Sequence, residues 1–294
     1  MNYLITGGTG SFGHAFTDYL LKDKTTKRVA ILSRNEHSQA EMAAQYADDR
    51  LRFLVGDVRD RDRLRRAFAD VDVVVHAAAL KRIEVGFYNP TEMVQTNIGG
   101  AINVIEAAID AKVKKVVALS TDKAYQPVSA YGLSKALAEA IFRNAYQGRT
   151  AFAVTRYGNV FCSAGSVVPR WRKILKTSDT VPVTDPEATR FFMWMSEATK
   201  LVSDTIKTMK GGELNIPTLP AYCLADLAEA MGAKMRVVGM PEWEKRHESM
   251  CEGNSSDTAR RMSVAELRDA IAHGLHRPSQ DGIKTPTRQG AVAA

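Results

Sequence analysis

Near the start of the chain, Gly7, Gly10 and Gly13 follow a GxxGxxG pattern between an apolar run, Tyr3 to Ile5, and an amphipathic stretch, Phe12 to Leu21. No other feature of the sequence leaves so few folds open. A strand must turn sharply into a helix there, and the missing side chains let a pyrophosphate reach the backbone N–H groups at the helix N-terminus. Glycines also crowd ordinary turns, so the spacing gains its meaning from the strand before it and the helix after it. Gly7, Thr9, Gly10, Ser11, Phe12 and Gly13 are the expected phosphate cradle of a dinucleotide.

The rest of the first half continues the pattern. Apolar, β-rich runs recur at Val29 to Leu32, Leu51 to Val55, Val71 to Val75, Lys115 to Leu119 and Ala151 to Thr155. Helix-patterned stretches stand between them at His37 to Tyr46, Pro90 to Lys112 and Ser129 to Tyr146, with Pro90 suited to a first helical turn. The alternation predicts an α/β fold, a doubly wound parallel sheet of Rossmann type over residues 1–160. After Arg156 a Gly/Ser stretch, Cys162 to Ser166, is followed by segments broken at Pro182, Pro186, Pro217 and Pro220. Residues 161–275 are read as a smaller C-terminal substrate lobe interleaved with the core, with helices from Ala221 to Met231 and Val264 to Ala272. Residues 276–294 are read as a mobile tail.

Composition narrows the function classes. The 294 residues are 45% hydrophobic and 25% charged, ordinary for a globular protein. No apolar run approaches the roughly 20 residues of a membrane span, so no membrane partner is expected. Met1 to Thr6 runs straight into a strand without a basic leader and cleavage site, which predicts a cytoplasmic protein. Cys162, Cys223 and Cys251 are odd in number and far apart, so they predict buried or half-buried thiols, with no disulfide framework and no metal site. The net charge of +7 suits nucleic acid or, equally, a phosphate-bearing cofactor and substrate. The densest basic stretch, Arg59 to Arg66, is interrupted by Asp60 and Asp62 and carries Leu64 four residues before Phe68. That is the exposed side of an amphipathic helix, and no nucleic-acid partner is expected.

The second strand ends Leu32-Ser33-Arg34, where an NAD site would usually place a carboxylate for the ribose 2′-hydroxyl. An arginine suits a 2′-phosphate, so NADP is expected over NAD, with Ser33 and Arg34 as contacts. The alternative is that Arg34 stacks on adenine or faces solvent while Glu36 takes the ribose. Asp57 and Val58, after the third strand, are candidates for the adenine edge, and Ala77, Ala78, Lys81 and Asn97, with Tyr131 and Lys135, complete the expected cofactor set.

Tyr131 and Lys135 are spaced YxxxK, which puts both on one face of a helix. A tyrosine with a pKa of about 10 is a poor base at neutral pH. A lysine ammonium alongside favours the phenolate, and a cofactor's positive charge adds to this. Such a pair can take a hydroxyl proton while a nicotinamide takes the hydride. Upstream, at the end of the fifth predicted strand, stands Leu119-Ser120-Thr121-Asp122-Lys123-Ala124. Thr121 is placed to hydrogen-bond the reacting hydroxyl, and Asp122 and Lys123 add an acid and a base that a plain alcohol dehydrogenase would not need. The bland alternative for the last two is a solvated ion pair.

With Pro127, Tyr131-Gly132 and Ser134-Lys135, the segment Ser120 to Ala124 resembles the active-site segment of the inverting UDP-N-acetylglucosamine 4,6-dehydratases, which are extended short-chain dehydrogenases/reductases. Further stretches are similar to that family in the same order across residues 1–250. They are Ala79-Leu80-Lys81, Tyr88-Asn89-Pro90, Thr96-Asn97, Arg156 to Val160, Gly165 to Pro169, Thr189-Arg190-Phe191, Gly211-Gly212-Glu213, Glu244-Lys245 and His247-Glu248.

The resemblance implies oxidation at C4 of a UDP-sugar, elimination of water across C5 and C6, return of the hydride to C6, and a homo-oligomer. It implies Tyr131 as the C4 base supported by Lys135 and Thr121, Lys123 as the C5 base, and Asp122 as the acid for the departing 6-hydroxyl. Lys81, Asn159, Ser166, Val167, Arg190, Glu244 and His247 are the implied substrate contacts. Acting as a base requires Lys123 to fall from a pKa near 10.4 to about 7–8, which burial and Lys135 or Lys81 would favour and Asp122 would oppose.

Where the family usually reads Arg-Pro-Gly-Glu-Lys, this chain reads Met240-Pro241-Glu242-Trp243-Glu244-Lys245, without the arginine and with one residue more. Arg236, Arg190 or Arg246 are candidates to replace it, and Trp243 is expected to fill core. Tyr131 stands where retaining relatives usually have methionine, which favours inversion at C5. A nucleotide-sugar 4-epimerase would use the same cofactor and Tyr–Lys pair but no Asp122–Lys123 pair. A non-catalytic NADP-binding redox sensor would have little use for Thr121, Tyr131 and Lys135 together.

Overall fold

A computed structural model describes residues 1–145 and 148–274, so the expected tail at 276–294 and the end of the stretch predicted helical to Tyr146 lie outside it. The first half runs β1 (Asn2–Thr6), α1 (Ser11–Lys22), β2 (Arg28–Ser33), α2 (Glu36–Tyr46), β3 (Leu51–Val55), α3 (Arg61–Ala67) and β4 (Val73–His76). Then come α4 (Ile83–Tyr88), α5 (Pro90–Met93), a π-helical turn (Val94–Gly99), α6 (Gly100–Asp110), β5 (Lys115–Thr121), a 3-10 turn (Asp122–Ala124), α7 (Ala130–Arg143) and β6 (Ala151–Tyr157). The second half runs α8 (Val167–Ile174), β7 (Thr180–Val183), β8 (Thr189–Phe191), α9 (Met195–Thr208), β9 (Leu214–Asn215), β10 (Ala221–Cys223), α10 (Leu224–Ala230), β11 (Lys234–Val237), β12 (Ser249–Cys251), β13 (Asn254–Ser255) and α11 (Val264–His273).

The sheet has seven strands in the order β3-β2-β1-β4-β5-β6-β9, and its paired strands are parallel. Chain direction across the sheet reverses between β1 and β4, where doubly wound sheets open a crevice at the strand C-termini. Successive residues of β1 serve opposite faces. Tyr3 and Ile5 enter a core with Phe16 of α1 and Val202 and Ile206 of α9, whereas Leu4 enters one with Leu64 of α3 and Val104 and Ala108 of α6. Strands buried on both faces need an uninterrupted apolar run, which is how these strands read in the sequence. A third cluster, including Phe161, Trp171, Phe192, Tyr222 and Leu267, forms the C-terminal lobe.

Two expected elements differ. The single helix expected from Pro90 to Lys112 is divided by the π-helical turn, within which Asn97 bonds to both backbone groups of Leu80. A π insertion of this kind changes the helix register to aim a side chain and leaves the apolar spacing almost intact. The helix expected from Ala221 starts at Leu224, because Ala221–Cys223 pair antiparallel with β8. A short apolar run suits either state, and here a tertiary partner decides. The basic stretch forms α3, with Arg61 2.8 Å from Glu106 and Arg65 2.8 Å from Asp110. Among the described residues, no helix is long and apolar enough to cross a membrane.

Candidate active site

A cleft of about 520 Å³ opens at the C-terminal ends of the central strands, where the glycine loop forms one wall. Gly7 adopts φ +66°, and a Cβ there would lie 2.8 Å from the Ala78 Cα, so the turn requires glycine. Its N–H donates to the Leu32 carbonyl at 2.8 Å, tying the loop to β2. No side chain caps the N-terminus of α1, which leaves its first-turn amides to an anionic ligand. Thr9, Gly10, Ser11, Phe12 and Gly13 line the same wall, and Ser33, Arg34, Asp57 and Val58 line the far end.

Arg34 is exposed and reaches 3.9 Å from Asp57, whose other cation, Arg59, stands at 2.7 Å. Burial would raise the Asp57 carboxyl, but these arginines hold it below the usual range. A bare backbone turn and an uncapped helix start fit the pyrophosphate of a dinucleotide, and Arg34 stands at the distal end of the cleft. Ala77, Ala78, Lys81, Thr121, Lys123, Tyr131, Lys135 and Asn159 extend the lining toward β5 and β6.

At the end of β5 the chain enters the 3-10 turn with Thr121 as its cap. The Thr121 hydroxyl accepts from the Lys123 N–H at 3.4 Å and donates to Asp122 Oδ1 at 2.9 Å. Helix α7, capped by Ser129 accepting from the Gly132 N–H at 3.1 Å, packs directly on this turn. A Cβ on Gly132 would sit 2.4 Å from the Lys123 carbonyl oxygen, so glycine permits the approach that puts Tyr131 beside Lys123. Lys123 Nζ lies 3.1 Å from Asp122 Oδ1 and 2.9 Å from Glu248 Oε1. The second Glu248 oxygen is 3.0 Å from Lys245 Nζ, which also donates to the Tyr125 carbonyl at 2.9 Å.

These contacts overturn one expectation about Lys123. Burial lowers its pKa and Arg190 opposes its charge, but Asp122 and Glu248 outweigh both and hold the ammonium above the usual range. The expected depression is absent because the sequence reading counted one neighbouring carboxylate and the fold supplies two. Asp122, fully buried, is raised as well. Burial and Glu248 push it up against the pull of Lys123, and its Oδ2 makes no hydrogen bond. Burial would raise Glu248, but Lys123, Arg190 and Lys245 outweigh it and hold the carboxyl below the usual range.

Lys135, on α7, is buried. Its Nζ donates to the Leu119 carbonyl at 2.6 Å, and burial lowers it to about 8 against the attraction of Glu139. Tyr131 is pushed up to about 12 by burial, with Lys123, opposed by Asp122, and a Thr121 hydrogen bond drawing it back. Lys123 therefore adds a cation that draws the phenol down.

Other candidate residues stand outside the cleft lining. Asn97 is buried behind it, taking the Leu80 N–H at 2.8 Å and donating to the Leu80 carbonyl and the Ser134 hydroxyl at 2.9 Å. It thereby ties the loop carrying Lys81 to α7, and Lys81 donates to the Ala164 carbonyl at 3.2 Å. Ser166 and Val167 begin α8. Arg190 pairs with Glu244, and His247 Nδ1 is 2.8 Å from the Thr189 hydroxyl. Trp243, expected in the core, is half-buried against the Phe87 ring with centroids 4.5 Å apart. Glu248 carries the largest unforeseen role, and its place beside His247 in the family-like pattern was the available signal.

A profile of the polysaccharide biosynthesis protein family matches residues 3–267. The chain is 43% identical over 262 residues to the UDP-N-acetylglucosamine 4,6-dehydratase (inverting) of Campylobacter jejuni, covering 87% of this chain and 78% of that one. It is 39% identical over 270 residues to a UDP-glucose 4-epimerase of Rickettsia akari, covering 87% and 79%. Among solved structures, Pen from Bacillus thuringiensis has a TM-score of 0.88 at 35% identity over 92% of this chain and 98% of that one. DesIV, a dTDP-glucose 4,6-dehydratase from Streptomyces venezuelae solved with NAD and TYD, shares the fold with a TM-score of 0.79 at 23% identity, over 92% and 96%.

Proposed function

The chain belongs to the polysaccharide biosynthesis protein family, and from that premise we propose that it is an NADP-dependent nucleotide-sugar 4,6-dehydratase acting on UDP-N-acetylglucosamine with inversion at C5. The observation that carries this reading is the Asp122–Lys123 pair, its carboxylate fully buried and its lysine lining the same cleft as Tyr131 and the glycine cradle.

A dinucleotide held by the glycine loop, with Ser33 and Arg34 at its distal end, would supply a hydride acceptor and donor that is regenerated within each cycle. Tyr131 takes the proton of the C4 hydroxyl, and Thr121 steadies that hydroxyl. The phenol needs help to ionise, and Lys123 and Thr121 provide it. A C4 ketone makes the C5 proton acidic. A proton shift across the 3.1 Å from Lys123 Nζ to Asp122 Oδ1 gives a neutral amine and a protonated carboxyl. The amine then removes the C5 proton, and the carboxyl protonates the departing 6-hydroxyl, which leaves as water. The Asp122–Lys123 ion pair is thereby restored. The raised pKa of Asp122 favours the shift.

Mass spectrometry of the purified protein incubated with UDP-N-acetylglucosamine, with no cofactor added, is the direct test. Loss of one water supports the reading. Unchanged mass with an altered C4 configuration would replace it with the epimerase reading, which the name of the Rickettsia relative favours. NADP is favoured by Arg34 at the distal end of the cleft. A homo-oligomer is favoured by exposed Ile102 and Ile109 on α6 and Leu133 and Leu137 on α7. A cytoplasmic location suits the unbridged thiols of Cys223 and Cys251.

A further inference from the structure

We propose that Glu248 is the positioning residue that sets the basicity of Lys123, an inference that rests on the dehydratase reading above. Glu248 reaches Lys123 from far along the chain, immediately before β12, and its side chain is 1% exposed. Its N–H donates to the Ser256 hydroxyl at 2.9 Å, and that hydroxyl lies 2.6 Å from the Thr189 hydroxyl, so the backbone carrying it is fixed to β8. One carboxylate oxygen meets Lys123 Nζ at 2.9 Å and the other meets Lys245 Nζ at 3.0 Å.

The charged and titratable groups that face Lys123 are Asp122 from its own turn, Glu248, Arg190 from β8, Tyr131 from α7 and Tyr222 from β10. Asp122 is committed to the departing hydroxyl, which leaves Glu248 as the anion that stays ionised throughout. Against the burial that raises it, Lys123, Arg190 and Lys245 hold its carboxyl below the usual range, so Glu248 does not take the proton itself. Its work is to hold Nζ in place and to stabilise the ammonium that forms when Lys123 accepts the C5 proton. Lys245 on the opposite oxygen tempers that attraction.

Two variants separate this role from mere support. Removing the Glu248 charge makes Lys123 a weaker base that is nevertheless free at lower pH. In Glu248→Gln the acid limb of the dehydration pH profile should therefore move down by about one pH unit or more, while the plateau rate falls about 10- to 100-fold. Reduced cofactor should still form on adding UDP-N-acetylglucosamine. Lys245→Met removes the opposing cation and should move the acid limb up. The ¹³C resonance of Lys123 Cε, followed by NMR without substrate, should titrate at lower pH in Glu248→Gln, and Glu248→Asp should recover part of the rate.

An unmoved acid limb and an unmoved lysine titration in a folded Glu248→Gln protein would overturn the proposal while leaving the dehydratase reading intact. If that variant fails to fold, Lys245→Met decides alone: an upward shift supports the proposal and an unchanged profile overturns it. No water loss by the unmodified protein would sink the dehydratase reading, and this proposal with it.

Discussion

At the scale of single residues, elimination depends on where one proton sits among Asp122, Lys123 and Glu248. Replacing Lys123 with methionine removes the C5 base and leaves the proposed C4 base in place. Cofactor reduction should then persist while dehydration falls by about 10²- to 10⁴-fold, as loss of a general base predicts. Lys123 is also a charge that draws the Tyr131 pKa down, so the residual oxidation should need higher pH. In deuterated water the unmodified protein should place deuterium at C5 and the variant should not. Dehydration at a near-normal rate in Lys123→Met would pass the base role to Asp122 or a water, and Tyr131→Phe should abolish both signals.

At the other end of the cleft, Arg34→Asp should weaken NADP by about 10- to 100-fold, the equivalent of one charge-assisted hydrogen bond, and narrow or reverse its advantage over NAD. Isothermal titration of both cofactors measures this, and equal affinity in the unmodified protein would defeat the NADP assignment. These residues were legible because they lie within one loop, one strand end or one helical turn. Glu248 was not, because no local spacing relates it to Lys123. The protonation of Lys123 depends on contacts that form only when distant segments meet.

At the scale of elements, the junction between the 3-10 turn and α7 sets the relation between the acid–base pair and Tyr131. Gly132 is buried there against the Lys123 carbonyl. A methyl group 2.4 Å from that oxygen cannot be relieved by rotating a side chain, because the obstacle is backbone. Gly132→Ala should cost about 1–3 kcal/mol of stability through overpacking, read as a lower denaturant midpoint. Displacing the helix start should lower the rate far more than it weakens cofactor binding, since the glycine cradle lies on another element. A fully active Gly132→Ala protein would show that the junction tolerates separation. Six of the strands were legible because apolar runs of their length allow little else between two covered faces. The π-helical turn and β10 were not, because the first preserves helical spacing and the second is chosen by its partner β8.

At the scale of the molecule, segments beyond residue 160 share a buried core with those before it. Helix α9 packs on α1, β5 and β6, and β9 extends the sheet beyond β6. Val202, Ile206, Met209, Leu219 and Met250 belong to the same buried cluster as Ile5, Phe16 and Val117. Arg156 on β6 crosses the same boundary, pairing with Glu139 on α7 while donating to the Met250 carbonyl. Each large apolar side chain contributes about 1.5–3 kcal/mol on burial, so losing five of them removes an amount comparable to the roughly 5–15 kcal/mol that stabilises a whole domain. A fragment comprising residues 1–160 should therefore lack a cooperative thermal transition, bind a hydrophobic dye and fail to bind either dinucleotide, although it carries the entire glycine cradle. The full chain should melt in one transition, and NADP should raise its midpoint. A sharp transition and cofactor binding by the isolated fragment would show that the first half folds alone, and that the second half merely rests on it.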